Sequence, residues 1–272
     1  MTFTRPSDRL LNPTRPPRVP RHLLPTMYDL PSEFPEEPGL PDTYHDLQPQ
    51  FLSETLRLQD YTEGEYFTAS DLNIYYDPDN RLWHKRPDWF LAVGIPFLYG
   101  EQQDLRLSYV AWQEAVNPFI IVELISPGTE AEDLGETTAQ PGGPPTKWTV
   151  YEQILQVPYY VVFNRYINEL RVFKLEAGQY QRQALPNHRL WIPELKLGLG
   201  LWYGTYRPGT HQQSERRWLR WYGEDGQWLP TGEELARQQA EAEQQRANDV
   251  AAELAALKAR LRAQGLNPDD FL

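Results

Sequence analysis

The run PFIIVELISPG, residues 118–128, restricts the fold more than any other stretch of this chain. It is rich in Ile and Val and closes on Pro-Gly, which reads as a buried strand. Glu123 stands in the middle of it. Burying an ionised carboxylate costs several kcal/mol unless a positive or hydrogen-bonding group meets it. A fold that contains this strand must therefore deliver a partner to Glu123.

The rest of the chain can supply a core. At 272 residues, with 40% hydrophobic and 13% aromatic side chains, it holds one sizeable domain with extensions or two small domains, and a wholly disordered chain is excluded. Cysteine is absent. Disulfides, thiolate catalysis and zinc–cysteine sites are thereby excluded, and a reducing compartment is favoured. The N-terminus MTFTRPSDRLLNPTRPPR has no apolar segment of the signal-peptide kind. No apolar run approaches the roughly 18 residues of a membrane span. A soluble, cytoplasmic protein without a membrane partner is expected. With 38 acidic against 26 basic residues the formal charge is −12. Nucleic-acid binders usually carry a basic surface, so any contact with DNA must rest on a local basic patch.

Five segments follow from the pattern. Residues 1–42 form a Pro-rich N-terminal arm, basic first (Arg5, Arg9, Arg15, Arg18, Arg21) and acidic later (Asp29, Glu33, Glu36, Glu37, Asp42). It reads as a solvated tail or as a basic arm gripping phosphate. Residues 43–212 form the main domain. A helix is expected from about Pro49, short strands at Tyr66–Thr68 and Leu72–Tyr76, a turn at DPDN, and a strand at Trp89–Val93. A Gly/Pro-rich acidic loop spans 128–145, and Thr146 caps a helix with Val150, Ile154 and Leu155 on its apolar stripe. A strand at 158–165 and a return hairpin follow. Residues 213–230 read as a connecting hairpin, 231–265 as a coiled-coil helix and 266–272 as a tail.

In that helix Ala236, Ala240, Glu243, Ala247, Val250, Leu254, Leu257 and Leu261 alternate steps of four and three, a heptad seam. Thr231 with Glu234 gives a capping box, and Gly265 stops the helix. The alternatives are a single solvated helix and a coiled coil joining two or more chains. The Leu seam favours the second.

Three residues form a candidate chemical set. Asp88 opens one predicted strand, Glu123 lies inside the next strong one, and Lys147 lies in the first turn of the helix after it. If the strands pair, the two carboxylates approach each other, and one takes up a proton unless a cation lies between them. Oxygen ligands suit Mg²⁺ or Mn²⁺. A nearby ammonium would orient water or stabilise charge building on a phosphate.

RPDWFLAV, PFIIVELISPG and TKWTVYEQILQVPYYVVF together resemble the Uma2 endonuclease family, a branch of the PD-(D/E)xK restriction-endonuclease-like superfamily. The shared features are Pro87-Asp88 at a strand start, the apolar strand through Val122 to Pro127, Lys147 with Tyr151 four apart, and Tyr159-Tyr160 opening a strand. ASDLNIYY resembles the family's first hairpin, and the tail ending LRAQGLNPDDFL is similar to tails on members. The resemblance covers about residues 43–272. It implies an α/β fold: a restriction-endonuclease-like mixed β-sheet core flanked by helices, with a C-terminal coiled-coil helix. It also implies metal-dependent hydrolysis of DNA phosphodiester bonds. Asp88 and Glu123 would ligate Mg²⁺ or Mn²⁺, with the carbonyl of Leu124 as a third ligand. Lys147 would act from the helix, because Ile125 fills the usual lysine place two residues after the Glu. Tyr151 would hold the ammonium, and Glu54 would add an outer carboxylate. Two departures stand out: the long acidic loop before Lys147, and a single Lys followed by Trp148 where many relatives carry two adjacent Lys. An inactive nuclease-like fold serving as an oligomeric binding or assembly module is therefore the alternative. A metal-free acid/base hydrolase acting on a sugar is a third reading.

Other features carry less. SERRWLRWYGEDGQWLP is the best basic-aromatic patch, yet a hairpin joining body to tail explains it equally well. His84, His188 and His211 lack metal-ligand spacing, and no P-loop, GxSxG or GxGxxG occurs.

Overall fold

Residues Trp89–Val93 and Ile120–Leu124 pair at the centre of a six-stranded sheet, and their alternation fixes what lies on each face. The computed structural model describes residues 23, 42–126, 128–206, 215–265 and 267. The Pro-rich arm apart from Leu23 and Asp42, together with Pro127, His211 and most of the tail after Gly265, lies outside them.

The sheet runs in the order β1 (Tyr66–Ala69), β4 (Trp89–Val93), β6 (Ile120–Leu124), β7 (Tyr159–Asn164), β8 (Glu169–Glu176) and β9 (Gln179–Arg182). Every neighbouring pair is antiparallel except β6 and β7, which run parallel. A parallel pair needs a crossover connection. Here the crossover carries α3 (Glu130–Asp133) and α4 (Lys147–Thr149), which continues as a π-helical turn over Val150–Ile154. The acidic loop expected at 128–145 thus contains a short helix. A small sheet of β2 (Ile74–Tyr75), β3 (His84–Lys85) and β5 (Tyr109–Val110), with α2 (Ala111–Glu114), flanks the main one.

Period-two alternation sends Ile120, Val122 and Leu124 to one face, with Trp89, Leu91, Val161 and Phe163. That face is covered by α1 (Thr43–Thr55) and by a sheet of β10 (Arg189–Ile192), β11 (Leu197–Gly204) and β12 (Arg216–Tyr222). Ile121 and Ile125 turn to the other face, against Val150, Tyr151 and Leu155 of the crossover. Glu123 belongs to this second face.

α1 begins earlier than its proline suggested. Asp42 accepts hydrogen bonds from the N–H groups of Tyr44 (2.8 Å) and His45 (3.1 Å), so the cap sets the start and Pro49 falls inside the helix. Gln48 then ties α1 to β12. Its Oε1 accepts from Leu219 N–H at 2.8 Å and from the Tyr44 hydroxyl at 2.9 Å, and its Nε2 donates to Leu219 C=O at 2.9 Å. The segment read as a connecting hairpin supplies β12, paired with β11 from Gly198 to Gly204. α5 (Gly232–Ala263) has the capping box of Thr231 and Glu234, and Gly265 beyond its end adopts a positive φ of 77°. Among the described residues no helix is long and apolar enough to cross a membrane.

Gln48→Leu is expected to strand the N–H and C=O of Leu219 inside the protein, while the Tyr44 hydroxyl keeps the Arg217 carbonyl as its acceptor. Urea unfolding should show a loss of roughly 2–4 kcal/mol, since each buried unsatisfied group costs about 1–3 kcal/mol.

Candidate active site

Both partners of Glu123 come from the crossover. Tyr151, fully buried, donates its hydroxyl proton to Glu123 Oε1 at 2.9 Å. Lys147 Nζ lies 3.1 Å from Glu123 Oε2. Residues four apart share one side of a helix, so Lys147 and Tyr151 can grip the two oxygens of a single carboxylate. Thr146 fixes where this helix starts, its hydroxyl accepting from Thr149 N–H at 3.2 Å. The cap puts Lys147 in the first turn, over the C-terminal end of β6.

Asp88 reaches the same place through strand register. Trp89 pairs with Val122, which sets Asp88 level with Glu123 one step further along. Asp88 Oδ2 accepts the Leu124 N–H at 2.5 Å. Asp88 Oδ1 makes no hydrogen bond among the described residues. Asp88, Glu123, Leu124 and Lys147 line one cleft of about 230 Å³, with His45 and Lys85 on its walls.

Two residues of the site escaped the sequence reading. The first is Asp133, from α3. Lys147 Nζ donates to its Oδ1 at 2.7 Å, and Asp133 is 1% exposed. Its loop is pinned: the Tyr160 hydroxyl donates to the Asp133 carbonyl at 2.8 Å. Gly135, at φ +74°, packs so tightly that a Cβ would meet the Trp148 ring at 2.7 Å. The second is His45, from α1. Its Nδ1 lies 3.0 Å from Asp42 Oδ1 and its Nε2 lies 2.9 Å from the Leu124 carbonyl. Both partners are acceptors, so both ring nitrogens must carry protons and His45 is an imidazolium. Arg165 pairs with Asp42 from the other side. Glu54, expected as an outer carboxylate, lies exposed on α1 and lines a separate cleft with Tyr66 and Trp202. α1 does reach the cleft, but through His45.

The charges do not balance. Three carboxylates (Asp88, Glu123 and Asp133) gather around one ammonium. Burial pushes Asp88 up to about 6, against the pull of the Leu124 N–H, His45 and Lys147. Burial also raises Glu123 well above the usual carboxylate range despite Lys147, and it raises Asp133. Burial opposes the charge on Lys147, but Glu123 and Asp133 outweigh it and hold the ammonium protonated. For His45 too burial is opposed, by Asp42 and Asp88, and the net shift is upward. Burial works against ionised Asp42, yet hydrogen bonds from His45 and the charge of Arg165 keep its carboxyl below the usual range.

A site with this surplus takes up protons or a cation. Its donors are hard oxygens, the kind Mg²⁺ and Mn²⁺ prefer. Among the described residues no three His, Asp or Glu side chains stand ready as a protein-only cage. Mg²⁺ does not need one, because it keeps several waters and binds through one or two carboxylates. Asp88 and Glu123 fit that requirement.

Of the basic residues in SERRWLRWY, Arg220 is taken up by the interior, while Arg216 stays exposed and Arg217 half-buried. Arg220 is buried, stacks on Trp202 at 4.5 Å and pairs with Glu234. Besides Lys147 and His45, the cleft is lined by the run His84, Lys85 and Arg86, immediately before Pro87-Asp88. Lys85 pairs with Glu132 at 2.9 Å.

The mixed sheet flanked by helices, with carboxylates at adjoining strand ends and a lysine from the crossover, defines a restriction-endonuclease-like, nuclease-type protein. The chain belongs to the Uma2 family, described as "Putative restriction endonuclease", whose profile matches residues 25–206. Among solved structures it is similar to one titled "Crystal structure of a putative nuclease belonging to DUF820" from Anabaena variabilis ATCC 29413. The two share 9% identity and a TM-score of 0.42, over 58% of this chain and 77% of the other. Comparison with curated proteins gave no match.

The raised Asp88 fixes a sign for stability. Its ordinary value is 3.8 and its folded value about 6. Between those values the unfolded chain releases a proton that the folded one keeps. Stability therefore falls as pH rises through this window, and a penalty of roughly 3 kcal/mol persists above it. Asp88→Asn keeps an acceptor for Leu124 N–H and removes the penalty. In chelator-containing buffer it should raise the urea midpoint at pH 8 and leave it little changed at pH 3.

Proposed function

We propose that the protein is a metal-dependent endonuclease that hydrolyses DNA phosphodiester bonds. Asp88 and Glu123 are the ligands of Mg²⁺ or Mn²⁺, and the Leu124 carbonyl is the third protein oxygen. The observation that carries this reading is the convergence of two strand carboxylates and one helix ammonium on a single cleft, in a chain of the Uma2 family. A carbonyl oxygen has two lone pairs, so Leu124 can accept from His45 and still bind a metal. A cation held there would supply charge that neutralises the phosphate and would lower the pKa of a water.

The protein's own groups divide the remaining work. Lys147 has three donors, of which Glu123 and Asp133 engage two. The third is available to a phosphate oxygen, where negative charge builds as the bond breaks. Tyr151 fixes the orientation of Glu123, and Asp133 holds Lys147 in place. The second reading is a non-cleaving nuclease-like module, and the acidic loop that pairs Lys147 with Asp133 is the observation that favours it. In either case self-association through α5 belongs to the reading, because that helix leaves its Leu seam uncovered. A chain without cysteine suits the reducing cytoplasm.

Plasmid DNA incubated with Mg²⁺ or Mn²⁺ should be nicked by the wild type. Asp88→Ala and Glu123→Ala should each lower the rate at least about 100-fold, as loss of a transition-state contact worth about 3 kcal/mol would. Nicking that survives both substitutions removes these residues from the mechanism. Mg²⁺ should also raise the melting temperature of the wild type and not of Asp88→Ala, by the linkage that stabilises any liganded fold. A wild type that takes up no divalent ion in calorimetry supports the non-cleaving module instead.

A further inference from the structure

α5 presents an apolar stripe to solvent. No residue of Gly232–Ala263 is buried, and Val250, Leu254 and Leu257 are 64%, 42% and 53% exposed. At 1.5 Å per residue the helix is about 48 Å long. Its first turn is tied to the body, where Glu234 pairs with Arg220 and closes the capping box with Thr231. The steps of four and three along the stripe average 3.5 residues, the repeat that closes two helices into a left-handed pair.

We infer that α5 pairs with α5 of a second copy of this chain, in parallel and in register. This rests on the self-association proposed for the protein and adds its geometry. Parallel pairing stacks Val250, Leu254, Leu257 and Leu261 each on its own counterpart, which makes four successive apolar layers. Antiparallel pairing over the same span sets Leu254 against Glu243, and Leu257 and Leu261 against Ala240 and Ala236. The flanking charges point the same way. In the parallel pair Glu253 faces Lys258 of the other copy, twice by symmetry, and Arg246 faces Ala251. The antiparallel pair gains Glu253 against Arg246 but sets Lys258 against Arg237, two like charges. The parallel arrangement has one cost: Glu243 meets its own counterpart among the Ala layers, where the seam is weakest. The pair is therefore held at its C-terminal half, and the Ala-rich half nearer the body packs more loosely.

The chain has no cysteine, so a single introduced one reports contacts between copies and nothing else. Under mild oxidation of the full-length protein, Leu254→Cys should cross-link most of it to twice 31.8 kDa. Ala252→Cys, on the outer side of the helix, should stay uncross-linked. Lys258→Glu should weaken the dimer about tenfold in sedimentation equilibrium, from the summed change at two symmetric pairs. Adding Glu253→Lys should restore it. An antiparallel pair over the same span gives the opposite results: Lys258→Glu tightens it, and Leu254→Cys cross-links only when mixed with Glu243→Cys. One shifted to set Leu254 against Leu257 cross-links Leu254→Cys only with Leu257→Cys. Any of those results overturns the inference. Wild-type protein that remains at 31.8 kDa in light scattering at tens of micromolar overturns it together with the self-association beneath it. Plasmid nicking is read separately, so the nuclease proposal stands or falls on other data.

Discussion

The buried Glu123 carboxylate sets the terms for everything around it. Left alone inside β6 it would cost several kcal/mol. Its position on the sheet face opposite Leu124 means that rescue can come only from whatever covers that face. The parallel pairing of β6 and β7 requires a crossover, and the crossover lies on the face where Glu123 points. The element demanded by topology is thus the element that carries Lys147 and Tyr151. A side-chain cap at Thr146 then decides the axial position of the lysine. Fold and site are two consequences of one constraint.

The rescue is incomplete, because the cleft holds more carboxylates than Lys147 can pair. Lys147 makes direct ion pairs with Glu123 and Asp133, while Asp88 has the backbone N–H of Leu124 and only the charges of His45 and Lys147 at longer range. A buried network selected for stability alone would carry fewer acids. Clusters of like charge that force proton uptake concentrate where a protein binds or transforms something charged. On the opposite face the line from Arg165 through Asp42 and His45 ends on the Leu124 carbonyl. The backbone of one residue, Leu124, is therefore held on both sides, its N–H by Asp88 and its C=O by His45.

What the sequence made legible was local. The trio of Asp88, Glu123 and Lys147, with Tyr151, could be read because strand alternation and helical spacing depend on near neighbours. Trp89–Val93, the Thr146 cap and the Thr231 capping box were readable for the same reason. Asp133 and His45 were not. The loop before Lys147 offers Glu130, Glu132, Asp133 and Glu136, and only the tertiary return pinned at Gly135 and Tyr160 selects among them. On α1, Glu54 lines a separate cleft while His45 faces this one. Glu54 and His45 are nine residues apart, which at 100° per residue puts them half a turn from each other. Pro49 also misplaced the start of α1, because a proline is tolerated wherever packing compensates its lost donor, whereas Asp42 supplies an actual cap.

The net charge of −12 and the acidic crossover weigh against an approach by DNA only if those acids face the solvent. Asp133 is turned inward and its charge is engaged by Lys147, while Glu132 accepts from Lys85 at the cleft wall. Two of the loop's acids are thus neutralised by cations of the site itself. The same contacts keep Lys147 from collapsing fully onto Glu123, since an ammonium shared between two carboxylates is fixed between them. Charge that looks repulsive when counted along the chain becomes, once folded, the scaffold that orients Lys147. What decides between a working nuclease and an idle fold is then the occupancy of the third donor of Lys147, not the sign of the whole surface.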